Sequence, residues 1–475
     1  MVDDSGRGAA RRGARLQVWD ESDCRIVNEA SLEILAEVGV EVRHEGAREL
    51  LRRAGAAVDG TRVRFGEPLV AAALASAPKT WSVRSRGRDE VMLLRDGEVY
   101  YGTGSDCLYV KDPTTGERRR SRVADIEGMA ALCEMLPNID FVMSMGLPGD
   151  VPQEVDDLAQ MAAMLRGSRK PIIMSPRTGH VVRRMKDMAA LCGDASSLIV
   201  YGMPAPPLTH DEDAITKMWA SAENDVPFVY ASAPSCCTTG PASVTGTVIV
   251  SNAEVLSGLV IHQLVKEGAP FVYGCGCDAM SMRTMLPAYC VPESLIGLQT
   301  MTDLARCYRL PSFSYAGMSD SKVLDAQWSA ETAITTIVGA LSRATLLHDV
   351  GYFETGLQAS YESIVFGDEL VGYARKLVAS ASLDPEAMAL EEIKSVGPGG
   401  NHLARPYTRA HYREFWQPTL FDHTAHDRWS AAGGLNLSDR LKAKTAQLLT
   451  EEREFTLDAE VAVRLAELAA TAREM

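Results

Sequence analysis

Eight short β-rich runs constrain this chain more than any other feature. They occupy residues 99–102, 141–144, 171–175, 198–202, 227–231, 270–274, 311–315 and 346–350. Their starts lie about 27 to 43 residues apart, which leaves room each time for a right-handed crossover containing a helix. Four runs begin with proline, which is tolerated at the first position of a strand. Eight successive strand–helix units predict an α/β fold, a (β/α)8 TIM barrel.

An open, doubly wound sheet is the competing arrangement for such a pattern. It commonly carries a glycine-rich G-x-G-x-x-G turn after its first strand, and no such turn occurs here. Among the intervening helices, one is predicted at 252–267, with Asn252 as its N-cap and Gly268 as its end.

The remaining sequence divides around the predicted barrel at 97–383. Residues 1–16 contain arginines without a following apolar block, so we expect a short disordered arm rather than a secretory signal. Residues 17–96 are predicted to form helices and extended links packed on the barrel. Residues 384–475 are predicted to form a C-terminal cap that belongs to the same domain.

Charge and cysteine usage narrow the classes of function. The formal net charge of −15 argues against binding to nucleic acid or to an anionic membrane. No apolar run approaches the roughly 20 residues that cross a bilayer. Ten cysteines lie scattered without the spacing of a disulfide framework, which predicts a cytoplasmic location. A homo-oligomer is compatible with a barrel of this size.

Aromatic residues recur where the predicted strands end. They are Tyr101, Tyr201, Tyr230, Tyr273, Tyr315 and Tyr352, with Phe313 nearby. The active site of a barrel lies at the C-terminal ends of its strands, so these rings are candidates to line it. Aromatic faces bind quaternary ammonium groups through cation–π contact. Tyrosine also favours strands for packing reasons alone, and that alternative stays open for each residue.

Polar candidates follow the same strand ends. Asp106 and Glu354 are carboxylates in the loops after the first and eighth runs, and either could instead be a capping or solvated loop residue. His348 lies inside the otherwise apolar eighth run, where a histidine is either a core group or a catalytic one. Asp320 and Lys322 follow the seventh run and are predicted either to orient a substrate or to cap the next helix.

Cys275 and Cys277 raise the alternative of a zinc site, because thiolates bind zinc and zinc activates sulfur nucleophiles. A C-x-C pair needs at least one more Cys or His ligand, which Cys236 or Cys237 would have to supply across the barrel. No metal ligand is therefore assigned.

Several stretches resemble the trimethylamine methyltransferase family. Residues 317–331 resemble its D-x-K-x-x-D-x-Q-x-x-x-E signature, and residues 251–258, 348–352 and 397–402 resemble further blocks of it. The resemblance extends over about residues 17–470. It implies a barrel enzyme that moves a methyl group from an amine to the Co(I) atom of a separate corrinoid protein, with no tightly bound cofactor of its own.

Members that act on trimethylamine carry pyrrolysine, whereas this sequence has only standard residues. It is therefore similar to the branch that lacks pyrrolysine, which implies glycine betaine or a related quaternary amine as substrate. In that reading His348, Asp106 and Asp320 are the candidate catalytic residues. Two rival hypotheses are a zinc-dependent barrel methyltransferase acting on a thiol and a non-catalytic quaternary-amine-binding protein on the same fold.

Overall fold

Seven of the eight predicted runs form strands of one parallel sheet, in a computed structural model that describes residues 13–452 and 455–470. Their order across the sheet is Tyr100–Thr103, Leu346–Val350, Ser312–Tyr315, Phe271–Gly274, Phe228–Ala231, Leu198–Gly202 and Ile172–Met174. Every pairing between neighbours is parallel. Chain order runs steadily across the sheet except at the first strand, which pairs with the last. The sheet is therefore strongly curled.

The predicted strand at 141–144 is the exception. It contributes only two isolated parallel bridges, Gly102 to Phe141 on one edge of the sheet and Val142 to Ile172 on the other. The Thr103 hydroxyl accepts a hydrogen bond from Met143 N (2.8 Å) and donates to Met143 O (3.0 Å). A side chain thus occupies backbone groups that a regular ladder would use, and the prediction of a full strand here is wrong.

Helices connect and surround these strands, as the crossover pattern predicts. The longer helices are Glu21–Glu37, Glu45–Arg53, Glu67–Ser76, Val123–Met135, Asp156–Gly167, Val182–Leu191, Glu212–Glu223, Val244–Val265, Pro292–Cys307, Ala326–Ser342 and Tyr361–Val378. Smaller strands lie at Val40–Val42, Ala57–Asp59, Arg62–Arg64, Trp81–Arg84, Val91–Leu94, Tyr109–Lys111, Arg118–Arg120, Thr209–His210, Ser235–Cys236, Asp278–Ser281, Leu286–Ala288, Tyr352–Phe353 and Gln358–Ala359.

The helix Val244–Val265 begins eight residues before its predicted start, with Ser243 as its N-cap. Asn252 is therefore not a cap but a fully buried residue within the helix. The helix has 22 residues and a mean hydropathy of 1.6, so by length and composition it passes the test for a membrane span, contrary to our expectation. Most of its most apolar window is buried inside the protein, as in a core helix.

Alternation along the strands creates two apolar layers. Tyr100, Phe141, Met143, Ile173, Ile199, Val229, Val272, Phe313 and Leu346 form one buried cluster inside the curl of the sheet. The hairpin Trp81–Arg84/Val91–Leu94 adds Val83, Met92 and Leu94 to that cluster. The intervening residues of the strands face outward into the larger cluster shared with the helices. Whether a strand residue joins the inner or the outer layer therefore depends on its place in this alternation.

Both ends of the described chain pack against this core. Ala14 N and Leu16 N donate to Val378 O (2.9 Å) and Leu341 O (3.0 Å), so contacts begin before the predicted boundary at residue 17; residues 1–12 of the predicted arm lie outside the described chain. The C-terminal helices are Pro385–Met388, Leu390–Val396, Pro406–His411, His426–Ala431, Leu437–Thr450 and Ala459–Ala470. The last two pack on Tyr361–Val378 and Asp156–Gly167 respectively.

Candidate functional site

A cavity of about 280 Å³ lies at the C-terminal ends of the parallel strands. Its aromatic walls are Tyr201, Tyr289, Phe313, Tyr315 and Tyr352, and its polar lining includes Ser105, Asp106, Ser232, Asp278, His348 and Asp349. Another cavity, of about 350 Å³, lies at the opposite end, where residues 97–101 enter the first strand and Arg343 and Arg375 line it. Barrel enzymes place their sites at the C-terminal end of the strands, so the first cavity is the candidate site.

The aromatic walls are in mutual contact. The His348 imidazole stacks on Phe313 with 4.2 Å between ring centroids and 14° between planes. Tyr201 lies 5.4 Å from Phe313 and 6.5 Å from His348, again between centroids. On the other side, Tyr315 Oη donates to Tyr289 O (2.8 Å) and so fixes the loop that carries Tyr289. The rings therefore form a packed wall rather than separate mobile groups.

Three carboxylates face this wall: Asp106, Asp278 and Asp349. Asp106 is exposed within the cavity, and desolvation by the surrounding protein raises the pKa of its carboxyl to about 6. Asp278 is 8% exposed; burial, followed by repulsion from Asp349 and Asp320, raises its pKa to about 7. Within residues 13–452 and 455–470, no hydrogen bond or ion pair engages the Asp278 carboxylate.

Asp349 and His348 leave polar atoms unsatisfied. Asp349 is 5% exposed, and neither its Oδ1 nor His348 Nδ1 has a hydrogen-bond partner in the described chain. The two atoms lie 2.6 Å apart, yet these adjacent side chains are not aligned for a hydrogen bond. Buried polar atoms normally find partners, so unsatisfied ones at a cavity wall point to a ligand that completes them.

Backbone strain is concentrated at the same place. Asp106, Asp349 and Thr355 line the cavity with φ values of 65°, 74° and 56°, in the left-handed region that favours glycine. Non-glycine residues in this region cost free energy and persist where the surrounding structure enforces them, often at functional sites.

Half of the sequence-predicted site residues meet in this cavity. They are Asp106, Tyr201, Phe313, Tyr315, His348 and Tyr352. The other six, Tyr101, Tyr230, Tyr273, Asp320, Lys322 and Glu354, do not line it. The sequence predicted that these six residues would line the site, and the structure places them elsewhere.

Tyr101, Tyr230 and Tyr273 point away from the cavity, because successive side chains of a strand alternate between its two faces. Tyr230 and Tyr273 are paired in register, whereas Tyr201 pairs with Val229, one position earlier. Tyr230 Oη therefore reaches His210 Nδ1 (2.6 Å), and Tyr273 Oη donates to Asn252 Oδ1 (2.7 Å), both in the outer layer. Tyr101 also joins the outer layer and lines the opposite cavity.

Asp320, Lys322 and Glu354 stabilise loops instead of lining the cavity. Asp320 accepts hydrogen bonds from Cys290 N (3.0 Å) and Tyr289 N (3.4 Å) and thereby holds the Tyr289 loop. Lys322 is exposed, and its Nζ donates to Asp320 O (2.8 Å). Glu354 forms a bidentate pair with Arg118, both distances 2.8 Å.

The signature within residues 317–331 is thus a structural device. Asp325, rather than Asp320 or Ser319, caps the helix Ala326–Ser342 by accepting from Trp328 N. Glu331 accepts from Ser319 Oγ (2.7 Å) and Asp320 N (2.8 Å), which ties the loop to the helix. The five signature residues Asp320, Lys322, Asp325, Gln327 and Glu331 do not line the cavity, whereas Met318, just before them, does.

Sequence reasoning missed Asp278, Asp349, Tyr289 and Ser232. One usable signal existed: Asp278 lies four residues beyond the end of the strand Phe271–Gly274, as Asp106 lies three beyond Tyr100–Thr103. Tyr289 had no such signal, because it reaches the cavity from the hairpin Asp278–Ser281/Leu286–Ala288. Only the folded chain brings that loop to the wall.

The cysteines considered for zinc divide between two places. Cys275 lines the cavity, while Cys277 lies beside Cys236 in the outer layer. Across the described ranges, no three His, Cys, Asp or Glu side chains come together in a way that could hold a metal ion.

Comparison with known proteins places this fold and cavity in context. The profile of the family described as trimethylamine methyltransferase (MTTB) matches residues 2–475. The chain belongs to this family. One relative in this family is the glycine betaine methyltransferase of Desulfitobacterium hafniense. It is 30% identical to this chain over 95% of this chain and 96% of the relative. A trimethylamine methyltransferase from the same species is 27% identical over 96% and 94%.

A solved structure is similar to this family member in fold. The monomethylamine methyltransferase of Methanosarcina barkeri superposes with a TM-score of 0.53, at 12% identity, over 91% of this chain and 89% of that one. At this identity the likeness concerns the fold alone.

Proposed function

We propose that this chain transfers a methyl group from a quaternary amine, such as glycine betaine or a related N-methylated compound, to the Co(I) of a cognate corrinoid protein. The observation that carries the proposal is the cavity itself, in a member of this family. Five aromatic residues and three aspartates line it, and among the described residues no lysine or arginine does. This combination suits a cation that cannot donate hydrogen bonds.

The chain's own residues would bind and orient the substrate. Phe313, Tyr201 and Tyr315 offer ring faces to an N-methylated cation, and Asp349 offers an unsatisfied carboxylate oxygen to its charge. Enclosure by these groups excludes water from the methyl that reacts. A corrinoid Co(I) brought by the partner protein would supply the nucleophile for the methyl group. The substrate nitrogen would keep the electron pair of the broken methyl–nitrogen bond and leave as an uncharged amine nitrogen.

The mouth of the cavity fits a partner that approaches from outside. Exposed apolar residues lie on the loops that carry lining residues: Met203, itself a lining residue, is 37% exposed, and Met282, Met285, Leu286 and Leu357 are 42 to 60% exposed. Apolar side chains exposed together mark interaction surfaces. They support docking of a corrinoid protein whose cofactor faces the cavity.

Two further expectations belong to the same proposal. The parallel sheet and the segment at 141–142 together would form a closed (β/α)8 barrel. The two bridges support this closure, because they join the segment to both edge strands of the sheet. A cytoplasmic setting is supported by ten cysteines that are all free thiols.

The test is an anaerobic single-turnover assay with free cob(I)alamin as acceptor and a panel of quaternary amines. Substrate-dependent loss of the Co(I) absorbance is expected for the wild type and for Asp187→Asn, a control on the exposed face of the helix Val182–Leu191. Asp349→Asn should slow the reaction strongly. Binding of an amine by the wild type without any Co(I) consumption would identify a binding protein instead, and zinc-dependent methylation of a thiol would support the other rival.

A further inference from the structure

The charge of the cavity differs from what a betaine requires. A betaine carries a carboxylate as well as its ammonium group, and proteins commonly bind carboxylates with arginine, lysine or clustered N–H donors. Asp106, Asp278 and Asp349 line this cavity, whereas the described chain places no arginine or lysine in its lining. Among the described residues that line it, His348 is the only one whose side chain carries a nitrogen.

The wall tyrosines experience the same negative surroundings. After burial, the strongest influences raising the pKa of Tyr289 are Asp278, Asp349 and Asp320. Tyr201 and Tyr315 likewise have pKa values raised by burial and then mainly by aspartates of the cavity and its loop. The electrostatic potential at the aromatic walls therefore favours a bound cation and disfavours a carboxylate on the ligand.

Two basic groups outside the cavity lining act electrostatically on Asp106. Lys217 and Arg177 lower the pKa of Asp106 through space, but neither lines the cavity. Arg177 is paired with Asp156, to which its Nε donates at 3.2 Å. Lys217 lies on the helix Glu212–Glu223. Its ammonium group interacts electrostatically with the carboxylates of Asp211, Asp213 and Asp106. These cations are already opposed by nearby carboxylates.

One polar group can still bind an uncharged substituent. Ser232 lines the cavity, and its Oγ donates to the buried Glu254. The Ser232 hydroxyl is neutral, so it places no charge against an uncharged substituent.

We infer that the substrate is a quaternary ammonium whose fourth substituent carries no negative charge, an alkyl or hydroxyalkyl group instead of a carboxylate-bearing one. This inference rests on the proposed function and narrows it. The positive nitrogen lies against Phe313, Tyr201 and Tyr315, and Asp278 and Asp349 neutralise its charge. Glycine betaine is disfavoured because its carboxylate would be enclosed with aspartates.

Choline and glycine betaine form a matched pair of probes, because they share the trimethylammonium head and differ in a hydroxymethyl group against a carboxylate. Calorimetric titration should give tighter binding of choline than of glycine betaine, by about tenfold or more. Asp278→Asn should weaken choline binding and reduce the ratio between the two ligands. Asp187→Asn removes the same charge from an exposed helix and should leave the ratio unchanged.

Each other result counts against the inference. Equal or tighter binding of glycine betaine, failure of choline to bind, or a ratio insensitive to Asp278→Asn would overturn it. Betaine binding that disappears in Lys217→Met would show that Lys217 reaches the cavity, with the same consequence. Methyl transfer to cob(I)alamin separates the two proposals: transfer from glycine betaine but not choline contradicts only this inference, whereas binding of choline without transfer from any quaternary amine contradicts the proposed function.

Discussion

The imidazole of His348 lies nearly parallel to the ring of Phe313, with 4.2 Å between their centroids. The two residues come from neighbouring strands, Leu346–Val350 and Ser312–Tyr315, whose register pairs His348 with Tyr315 and Phe313 with Leu346. His348 and Phe313 are thus diagonal neighbours on the face that lines the cavity. This stack forms the rigid part of the wall to which a cation would bind.

Phe313→Leu should weaken binding of tetramethylammonium by about tenfold, because it removes a cation–π contact worth about 1 to 2 kcal/mol. Isothermal titration measures the effect. Phe271→Leu is the matched control: Phe271 faces the outer layer, so this variant should lose stability but keep its affinity. Equal affinities in both variants and the wild type would contradict the placement of the cation.

Tyr273→Phe should lower the free energy of unfolding by about 1 kcal/mol, because it removes the hydrogen bond to Asn252 Oδ1. The KM for the amine should not change, since this hydroxyl lies in the outer layer. Urea denaturation and steady-state kinetics check the two parts. A rise in KM without loss of stability would mean that Tyr273 faces the substrate after all.

Cation binding should strengthen as pH rises from about 5 to 8. Desolvation by the surrounding protein raises the pKa values of the Asp106 and Asp278 carboxyls to about 6 and about 7, so both gain negative charge over this interval. A pH series of tetramethylammonium titrations should show this trend. In Asp278→Asn the part of the rise near pH 7 should disappear while the part near pH 6 remains; a pH-independent affinity in the wild type would refute the assignment.

Glu254→Gln should flatten the pH dependence of stability. Burial raises the pKa of Glu254 from 4.5 to about 7, so the folded chain retains a proton that the unfolded chain has lost between these values. The free energy of unfolding of the wild type therefore falls as pH rises from about 4.5 to about 7, by about 3 kcal/mol from this group at most. Urea denaturation at pH 5 and pH 8 measures the difference, which should be smaller in the variant; an unchanged difference would place the titration elsewhere.

Much of the parallel sheet could be predicted from the spacing of its apolar runs. Seven of the eight runs are strands, since a short β-rich segment followed by a long helical one has few other ways to bury its apolar residues. The segment at 141–144 could not be assigned correctly, because its ladder is displaced by the Thr103 side chain, a contact across about forty residues of sequence.

By itself, the sequence determined that aromatic and acidic residues would gather near the strand ends, because local patterning fixes where strands stop. Tertiary structure alone decided which of them face the cavity. Tyr201 lies inside while Tyr230 and Tyr273 lie outside, since a shift of one residue in strand register reverses the direction of every side chain. Asp278 and Tyr289 reach the wall, and His348 meets Phe313, only when strands and loops distant in sequence are brought side by side.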